Sequence, residues 1–509
     1  MLKFIDNILN KVTMYKLVLY VLELFLVIAV VLSAFGLLPF NPFALAFSVF
    51  FFVAVNWAAN ELSARFFWAP TNTESVFITA LILALIVSPP TSPFDLSYFI
   101  MASWASVWAM ASKYIFTIRK KHIFNPAAFA VALTALTINQ SASWWIGSAV
   151  MLPAVLIGGL LIVKKIRRFD MAFMFLFAAL VSIIGAGILK GSNLNILITK
   201  SLIETPLFFF AFVMFTEPLT APQIRNERLI FATLVGVLFA PWVHIGSFYF
   251  TPEIALLVGN VFAYLVGSKD KFMLHLKERV EVASNTYDFV FTPDRPFKFK
   301  PGQYMEWTMA HESPDNRGNR RYFTIASSPT ESDMRMGIKF YPKSSTFKEA
   351  LISMSPTDVI VAAQLAGDFV MPTDTTKKLV FIAGGIGVTP FRSMIKYLVD
   401  EKEVRSVVLL YSNNTVGDIA YKDIFDEAQK KLGIKTVYTL TDAKSLPSNW
   451  KGATGFIDDK MIAKEVPDYK DSFFYLSGPH VAVVAFESAL KKLGIPSSQI
   501  KKDFFPGFA

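Results

Sequence analysis

Residues 381–393 read FIAGGIGVTPFRS, the pattern of a strand, a glycine-rich turn and the start of a helix. Gly384, Gly385 and Gly387 permit tight turning and a close approach of the backbone to a ligand. A dinucleotide pyrophosphate can lie at such a helix start, where free N–H groups and the helix dipole favour negative charge. The spacing is not the Gly-x-Gly-x-x-Gly fingerprint, and a glycine-rich turn is weak by itself. A second loop, YLSGP at 475–479, strengthens the prediction of a nucleotide site.

The residues around this turn predict two kinds of sheet. From about Met371 onward, apolar strands alternate with amphipathic helices, which is typical of a parallel, doubly wound α/β sheet. Residues 271–370 instead form short alternating segments separated by Pro and Gly turns, which is typical of an antiparallel β-barrel. We therefore expect a barrel domain at 268–370 and a nucleotide-binding domain at 371–509.

The first half of the chain has a different composition. Long runs of Phe, Leu, Ala, Val and Ile dominate residues 14–267, and the whole chain contains 50 Phe and is 54% hydrophobic. A transmembrane helix needs about 20 apolar residues. We therefore predict a polytopic α-helical membrane domain at 1–267. About ten spans are expected, at 16–37, 42–60, 75–90, 97–116, 125–138, 144–164, 171–189, 200–216, 229–247 and 251–267.

The distribution of basic residues supports an even number of spans. With ten spans, the strongly basic loops all fall on the same side as both termini, and the intervening loops carry little Lys or Arg. Because positive loops face the cytoplasm, the termini and residues 268–509 are expected there, on a cell membrane. The net charge of +10 is explained by these loops, and no basic stripe interleaved with aromatic residues indicates nucleic-acid binding.

Polar residues inside the apolar segments are candidates for a functional site. The set is Asn56, Asn60, Glu61, Lys113, Asn125, Glu204, Glu217 and Asn260, of which Glu204 is the first choice for an internal site. Two segments begin alike, FNPFALAF at 40–47 and FNPAAFAV at 124–131. They are either ordinary helix starts with Pro in the first turn or an inverted repeat of broken helices.

Residues 271–509 resemble the ferredoxin–NADP reductase superfamily of flavin reductases, through KPGQY at 300–304, RRYFTIASSP at 320–329 and AGDF at 366–369. The resemblance implies FAD and a pyridine nucleotide. Arg321 would pair with the flavin pyrophosphate, since a guanidinium fork suits phosphate oxygens. Phe323 stands where the family usually has a Tyr on the isoalloxazine ring. The other cofactor-binding residues implied are Tyr322, Thr324, Ile325, Ala326, Ser327, Thr346, Gly384, Gly385, Gly387, Thr389, Gly478, Pro479 and Phe504.

Three of the implied residues are expected at the reacting atoms. Thr324 is the hydrogen-bond partner near the flavin N5 edge, and Ser477 replaces the usual Cys near the nicotinamide. Asp503, with Phe504 or Phe505, would shield the flavin. Thr346 is retained in KSSTFKEAL, where Lys343 replaces the Gly of the family's second phosphate-binding motif.

The choice of nucleotide rests on a short segment. NADP-selective members of the superfamily carry an Arg after the third strand of the nucleotide-binding domain, where it pairs with the 2′-phosphate. Here the segment is YSNNTVGDIAYKD at 411–423, with Asn413 and Asn414 but no Arg. NADH is therefore favoured over NADPH, with Lys422 as the counter-indication.

The first half resembles membrane-embedded components of two kinds of respiratory complex, the Rnf-type complexes and the sodium-translocating NADH:quinone reductases. The likeness lies in ITALILALIVSPPTSP, SKYIF with KKHIFNPAAFAVAL, and FFFAFVMFTEPLTAP. It implies a bundle of about ten helices with internal inverted repeats, flavin chemistry, and a quinone or cation pathway, and it allows for partner subunits. The family's Ser-Gly-Ala-Thr site for covalent FMN is absent from this half, and KGAT at 451–454 is a turn in the other half.

These patterns predict an FAD-dependent NAD(P)H oxidoreductase that passes electrons to a quinone or a second, non-covalent flavin. The alternatives are a redox-coupled cation or solute transporter, or a haem-linked reductase. The haem alternative is disfavoured because only His122 and His244 lie in the first half. The absence of Cys excludes disulfides, thiolate zinc and cysteine-ligated iron–sulfur clusters, and no metal site is predicted.

Overall fold

The computed structural model describes residues 9, 12–67, 73–118, 121–267, 271–311, 315 and 319–503. The chain divides into two compact units, Met1–Lys269 and Asp270–Ala509.

The described part of the first unit is almost entirely helical, with two short hairpins. The helices are α1 (Met14–Ala34), α2 (Pro42–Phe66), α3 (Thr73–Ile86), α4 (Leu96–Ile115), α5 (Pro126–Ile138), α6 (Leu152–Ile166), α7 (Phe169–Leu189), α8 (Leu194–Ile203), α9 (Leu207–Met214), α10 (Arg225–Leu238) and α11 (Pro252–Val266). The hairpins are β1 (Thr117–Ile118) with β2 (Lys121–His122), and β3 (His244–Ile245) with β4 (Phe248–Tyr249).

Three of the described helices, α1, α2 and α7, are long and apolar enough to cross a membrane. The pair α8 and α9, bent by 53° at the break between them, could form a fourth span, and α3, α5 and α11 are shorter apolar helices. Because α3 and α5 have only 14 and 13 residues, each rises roughly 20 Å, less than the hydrocarbon thickness. The arrangement of ten spans therefore stays a prediction.

The end of α3 is buried and receives hydrogen bonds from a distant segment. Its last residues are 0–6% exposed from Leu81 to Ile86. The backbone N–H of Trp144 donates to Ile86 O at 2.9 Å, and the Trp145 indole donates to Ala84 O at 3.0 Å. Helix-end carbonyls need such partners when water is excluded.

The two FNP segments begin helices in the same way but in different surroundings. Asn41 and Asn125 are both N-caps, each followed by Pro in the first turn. Asn41 is exposed, whereas Asn125 is 3% exposed and its amide donates to the Glu217 carboxylate at 2.8 Å. Asn260 accepts from the Asn125 N–H at 2.9 Å, so three of the predicted polar residues converge here. Glu204 does not join them: it lies exposed at the end of α8.

The second unit begins with an antiparallel sheet. Its strands are β5 (Lys271–Ala283), β6 (Thr286–Pro293), β7 (Tyr304–Thr308), β8 (Arg320–Thr324), β9 (Met334–Lys339) and β10 (Val359–Ala366), in the order β8-β7-β10-β5-β6-β9. The edge strands approach each other where Ala326 N–H, just after β8, donates to Arg335 O of β9 at 2.8 Å. The sheet therefore curls toward closure around an apolar core, and the short helix α12 (Thr346–Ile352) packs on that core.

The rest of the second unit is a parallel sheet covered by helices on both faces. The strands are β11 (Lys378–Gly384), β12 (Val407–Asn413), β13 (Lys435–Leu440), β14 (Ala453–Thr454), β15 (Ser472–Ser477) and β16 (Ile500–Asp503), in the order β14-β13-β12-β11-β15-β16. The helices are α13 (Thr389–Glu401), α14 (Lys422–Leu432), α15 (Asp459–Glu465) and α16 (His480–Lys492).

Alternation along β11 explains the two covered faces. Leu379 and Phe381 pack with α13 and α14, whereas Val380 and Ile382 pack with α15 and α16. Successive strand residues point to opposite faces, so a doubly wound sheet needs an unbroken apolar strand. The expected reductase fold of this half is confirmed, and the carboxyl ends of its parallel strands form one edge.

Candidate functional site

The glycine-rich loop after β11 and the loop after β15 are in direct contact. A Cβ atom on Gly387 would lie 2.4 Å from Gly478 Cα and 2.7 Å from the carbonyl carbon of Ser477. Gly385 has a φ of +52°, the left-handed region that favours glycine. The Thr389 hydroxyl donates to Ile386 O at 2.6 Å and closes the turn before α13. The backbone can approach this closely only without side chains, as a dinucleotide pyrophosphate site requires.

The three residues expected at the reacting atoms lie close together. Ser477 and Asp503 are register partners on β15 and β16. The Thr324 hydroxyl donates to Asp503 Oδ2 at 3.3 Å, which joins the end of β8, the expected flavin strand, to the carboxyl edge of the parallel sheet. All three are less than 9% exposed. Phe504 and Phe505 lie outside the described residues.

The expected phosphate-binding residues meet around Asp315. The Arg321 guanidinium lies 3.5 Å from Asp315 Oδ1 and 5.2 Å above the Phe347 ring centre. The Thr346 hydroxyl accepts from the Asp315 N–H at 3.0 Å. It also lies 3.1 Å from Nε2 of His311, a residue that no sequence motif had singled out. Arg321 and Thr346, separated in sequence, thus share one neighbourhood.

The two faces of β8 have different partners. Phe323 faces Phe347, as Arg321 does, with ring centres 6.0 Å apart. Tyr322 points the other way, and its hydroxyl donates to Glu306 Oε2 at 2.8 Å. Because neighbouring strand residues alternate between faces, Tyr322 does not join the side chains expected at the flavin.

The residues after Thr324 are buried and their backbone is engaged. Ile325, Ala326 and Ser327 are at most 1% exposed. The Ile325 N–H donates to Gln303 O at 3.0 Å, and the carbonyls of Ala326 and Ser327 accept from α13. These hydrogen bonds within the protein fix the position of the end of β8.

The far end of the carboxyl edge presents an aromatic side chain. Phe456 follows β14 and is 78% exposed. Asn413, at the end of β12 between this residue and the glycine loop, is 4% exposed. In an open parallel sheet, ligands bind outside the carboxyl ends of the strands. Phe456 was missed from the sequence, where GFIDD looks like an ordinary turn.

Comparisons with known proteins match this half of the chain. Residues 381–486 match the family of oxidoreductase NAD-binding domains. The chain is 25% identical over 216 residues to a flavohemoprotein of Bacillus thuringiensis subsp. konkukian, which is 41% of this chain and 53% of that protein. These matches support an FAD-dependent NAD(P)H oxidoreductase.

Two reductases show similar identity. A glycine betaine monooxygenase reductase subunit of Pseudomonas aeruginosa is 26% identical over 240 residues, covering 45% of this chain and 64% of the relative. An NADH-cytochrome b5 reductase 1 of Ajellomyces capsulatus is 26% identical over 230 residues, covering 43% and 73%. The chain spans about half the length of the flavohemoprotein.

Proposed function

We propose that this chain is a membrane-bound oxidoreductase that takes electrons from NADH through FAD and delivers them to an acceptor in the first unit. One chain of contacts carries the proposal. Gly387 lies against the backbone of Ser477, Ser477 is the register partner of Asp503, and Asp503 accepts from the Thr324 hydroxyl. These contacts support a nicotinamide site at the two glycine loops, next to a flavin held by the end of β8. The proposed domains are 1–267, 268–370 and 371–509.

The residues fit the two cofactors. The Gly387–Gly478 approach leaves backbone where a dinucleotide would lie. Arg321, whose guanidinium lies 3.5 Å from Asp315, would turn toward a pyrophosphate when FAD binds. When bound, a flavin accepts a hydride and can release its electrons one at a time or as a pair. The Thr324 hydroxyl would lie at the flavin N5 edge, held there by its hydrogen bond to Asp503.

NADH is the proposed nucleotide. Lys422 forms an ion pair with Asp426 within α14 and lies 5.4 Å from the centre of the Tyr438 ring. Lys422, the counter-indication from the sequence, is therefore already paired. We expect NADH to be oxidised with a higher kcat/KM than NADPH.

The acceptor is proposed to be a quinone or a non-covalent second flavin held by the first unit, in line with its resemblance to membrane components of the Rnf-type and sodium-translocating complexes. The chain would then be a multi-pass protein of the cell membrane in contact with lipid, with its termini and reductase half in the cytoplasm. Its ten spans and partner subunits belong to the same proposal.

Cofactor extraction tests the cofactor assignment. Denaturing the purified protein is expected to release about one equivalent of FAD, or about two of flavin if the acceptor is a second flavin. None should stay covalently attached, because the Ser-Gly-Ala-Thr motif is missing. Protein that purifies without flavin and cannot be loaded with FAD would contradict the proposal.

Thr324→Val is expected to slow flavin reduction by NADH about tenfold, since one hydrogen bond near the reacting atoms is worth on the order of 1 kcal/mol. Rapid mixing at saturating NADH measures this rate. Thr292→Val, on an exposed part of β6, is the matched control and should react at the wild-type rate. Equal rates in both variants would remove Thr324 from the site.

We expect the adenine of NADH to stack on Phe456, and such base–aromatic stacking is worth about 1–3 kcal/mol. Phe456→Ala should therefore raise the KM for NADH about tenfold with little change in kcat. Steady-state kinetics with NADH give both constants. Val404→Ala is the control, since Val404 is 73% exposed but precedes β12, at the opposite edge of the sheet. An unchanged KM in F456A would place the adenine elsewhere.

A redox-coupled cation transporter is the second candidate, and one observation favours it. Glu253 in α11 is 2% exposed and accepts from the Trp144 indole at 3.2 Å. Among the described residues, no basic side chain forms an ion pair with it. Buried carboxylates in membrane segments often bind protons or cations. NADH oxidation in liposomes that requires Na⁺, and loses this requirement in Glu253→Gln, would favour this candidate over the first.

A further inference from the structure

The end of the flavin strand is held by the helix that follows the glycine-rich loop. Arg392 Nη1 donates to Ala326 O at 3.0 Å, and the Ser393 hydroxyl donates to Ser327 O at 2.6 Å. Both donors lie in the first two turns of α13, which begins at Thr389 directly after the loop. The expected flavin and nicotinamide sites are therefore joined by side chains rather than by backbone pairing.

A buried ion pair fixes Arg392 in place. Its guanidinium makes a two-pronged contact with Glu331, with Nη2 2.9 Å from Oε1 and Nη1 bonded to Oε2. Glu331 Oε2 also accepts from the Ser328 N–H at 2.6 Å. Arg392 is 4% exposed and the Glu331 side chain 18%, so water has limited access to the bonds between them. We call the set of Ala326, Ser327, Ser328, Glu331, Arg392 and Ser393 the clamp.

The surroundings of the clamp keep it ionised. Burial alone would raise the pKa of Glu331, but the hydrogen bonds and charge of Arg392 outweigh it and lower that pKa below its ordinary value. Arg335 lies 3.4 Å from Glu331 and 3.6 Å from Asp288. Burial raises the pKa of Asp288, whose Oδ1 accepts from the Tyr421 hydroxyl. A carboxylate with a lowered pKa stays charged until the pH falls through that value.

We propose that Arg392 and Ser393 are positioning residues that set the distance between the nicotinamide and the flavin during hydride transfer. The inference rests on the proposed function. Neither residue touches the reacting atoms; each acts through the carbonyls of Ala326 and Ser327, which carry the end of β8 and therefore Thr324. A misplacement of about 1 Å can cost on the order of a hundredfold in rate.

Arg392→Lys tests the clamp, because lysine keeps the charge but cannot bond Ala326 O and both oxygens of Glu331. In the full chain loaded with FAD, we expect the limiting rate of flavin reduction by NADH to fall about tenfold or more. The FAD content and the Kd for NADH should stay within about twofold of wild type. The long-wavelength absorbance of the stacked nicotinamide–flavin pair should also weaken. Ser393→Ala, which loses a single hydrogen bond, should show a smaller fall in the same rate.

Lys339→Met is the matched control. Lys339 Nζ forms a 2.6 Å ion pair with Asp418. Like the clamp, this ion pair joins the barrel to the nucleotide-binding part, but it does not involve β8. K339M should lower Tm by an amount similar to R392K and leave the limiting rate unchanged. A limiting rate in R392K equal to wild type, or equally slowed in K339M, would overturn the proposal. Wild-type protein whose flavin is not reduced by NADH would instead overturn the proposed function.

Discussion

Gly387→Ala is expected to abolish NADH-dependent flavin reduction, with a loss of at least about a hundredfold. The added Cβ would lie 2.4 Å from Gly478 Cα and 2.5 Å from Gly478 N, both backbone atoms that no rotamer change can move. The two loops would have to separate, and the nicotinamide would lose its place between them. Stopped-flow reduction at saturating NADH measures the loss.

Gly384→Ala provides the comparison, because its Cβ would meet neighbouring side chains at 3.4 Å or more, which is ordinary contact. G384A should therefore lose far less activity than G387A. FAD content separates the effects, since G387A should retain its flavin if the barrel is intact. Full activity in G387A would contradict the placement of the nicotinamide.

Arg321→Ala is expected to weaken FAD binding by at least about a hundredfold, because two charge-assisted hydrogen bonds of about 1.5–3 kcal/mol each are lost. The side chain lies over Phe347, on the face of β8 that also carries Phe323. The variant should purify folded but depleted of flavin. Fluorescence titration with FAD measures the Kd.

Arg320→Ala is the matched control, one residue away on the same strand. Its guanidinium lies on the opposite face, 3.7 Å from Glu306. R320A should bind FAD as wild type does. If R320A and R321A lost FAD equally, the loss would reflect damage to β8 rather than a missing phosphate contact.

Much of the second unit could be predicted from local sequence. Strand–helix alternation after Met371 reports a parallel sheet because each strand is buried on both faces, and β11 fits this pattern. Strand alternation could also have placed Tyr322 on the face opposite Arg321, since the side-chain period is two residues. Local sequence could not show the clamp, because Arg392 and Glu331 are 61 residues apart. The sequence around Arg392 also looks like that of any helix start.

The first unit shows where hydropathy reaches its limit. Apolar composition indicates a segment that avoids water, but not where its helix ends. α3 ends at Ile86, shortly before Pro89 and Pro90, and Trp144 and Trp145 satisfy its last carbonyls across more than fifty residues. Glu204, the first choice for an internal site, lies exposed where α8 ends, two residues before Pro206. Asn125, Glu217 and Asn260 converge only through tertiary structure.

Anaerobic mixing of the FAD-loaded full chain with NADH, followed by addition of a soluble quinone, tests the central claim most directly. We expect NADH to bleach the visible absorbance of the flavin in a single turnover, and quinone to restore it. G387A should fail at the first step, while wild type and R320A complete both. Flavin that NADH leaves oxidised in the wild-type protein would contradict the proposed route of electrons.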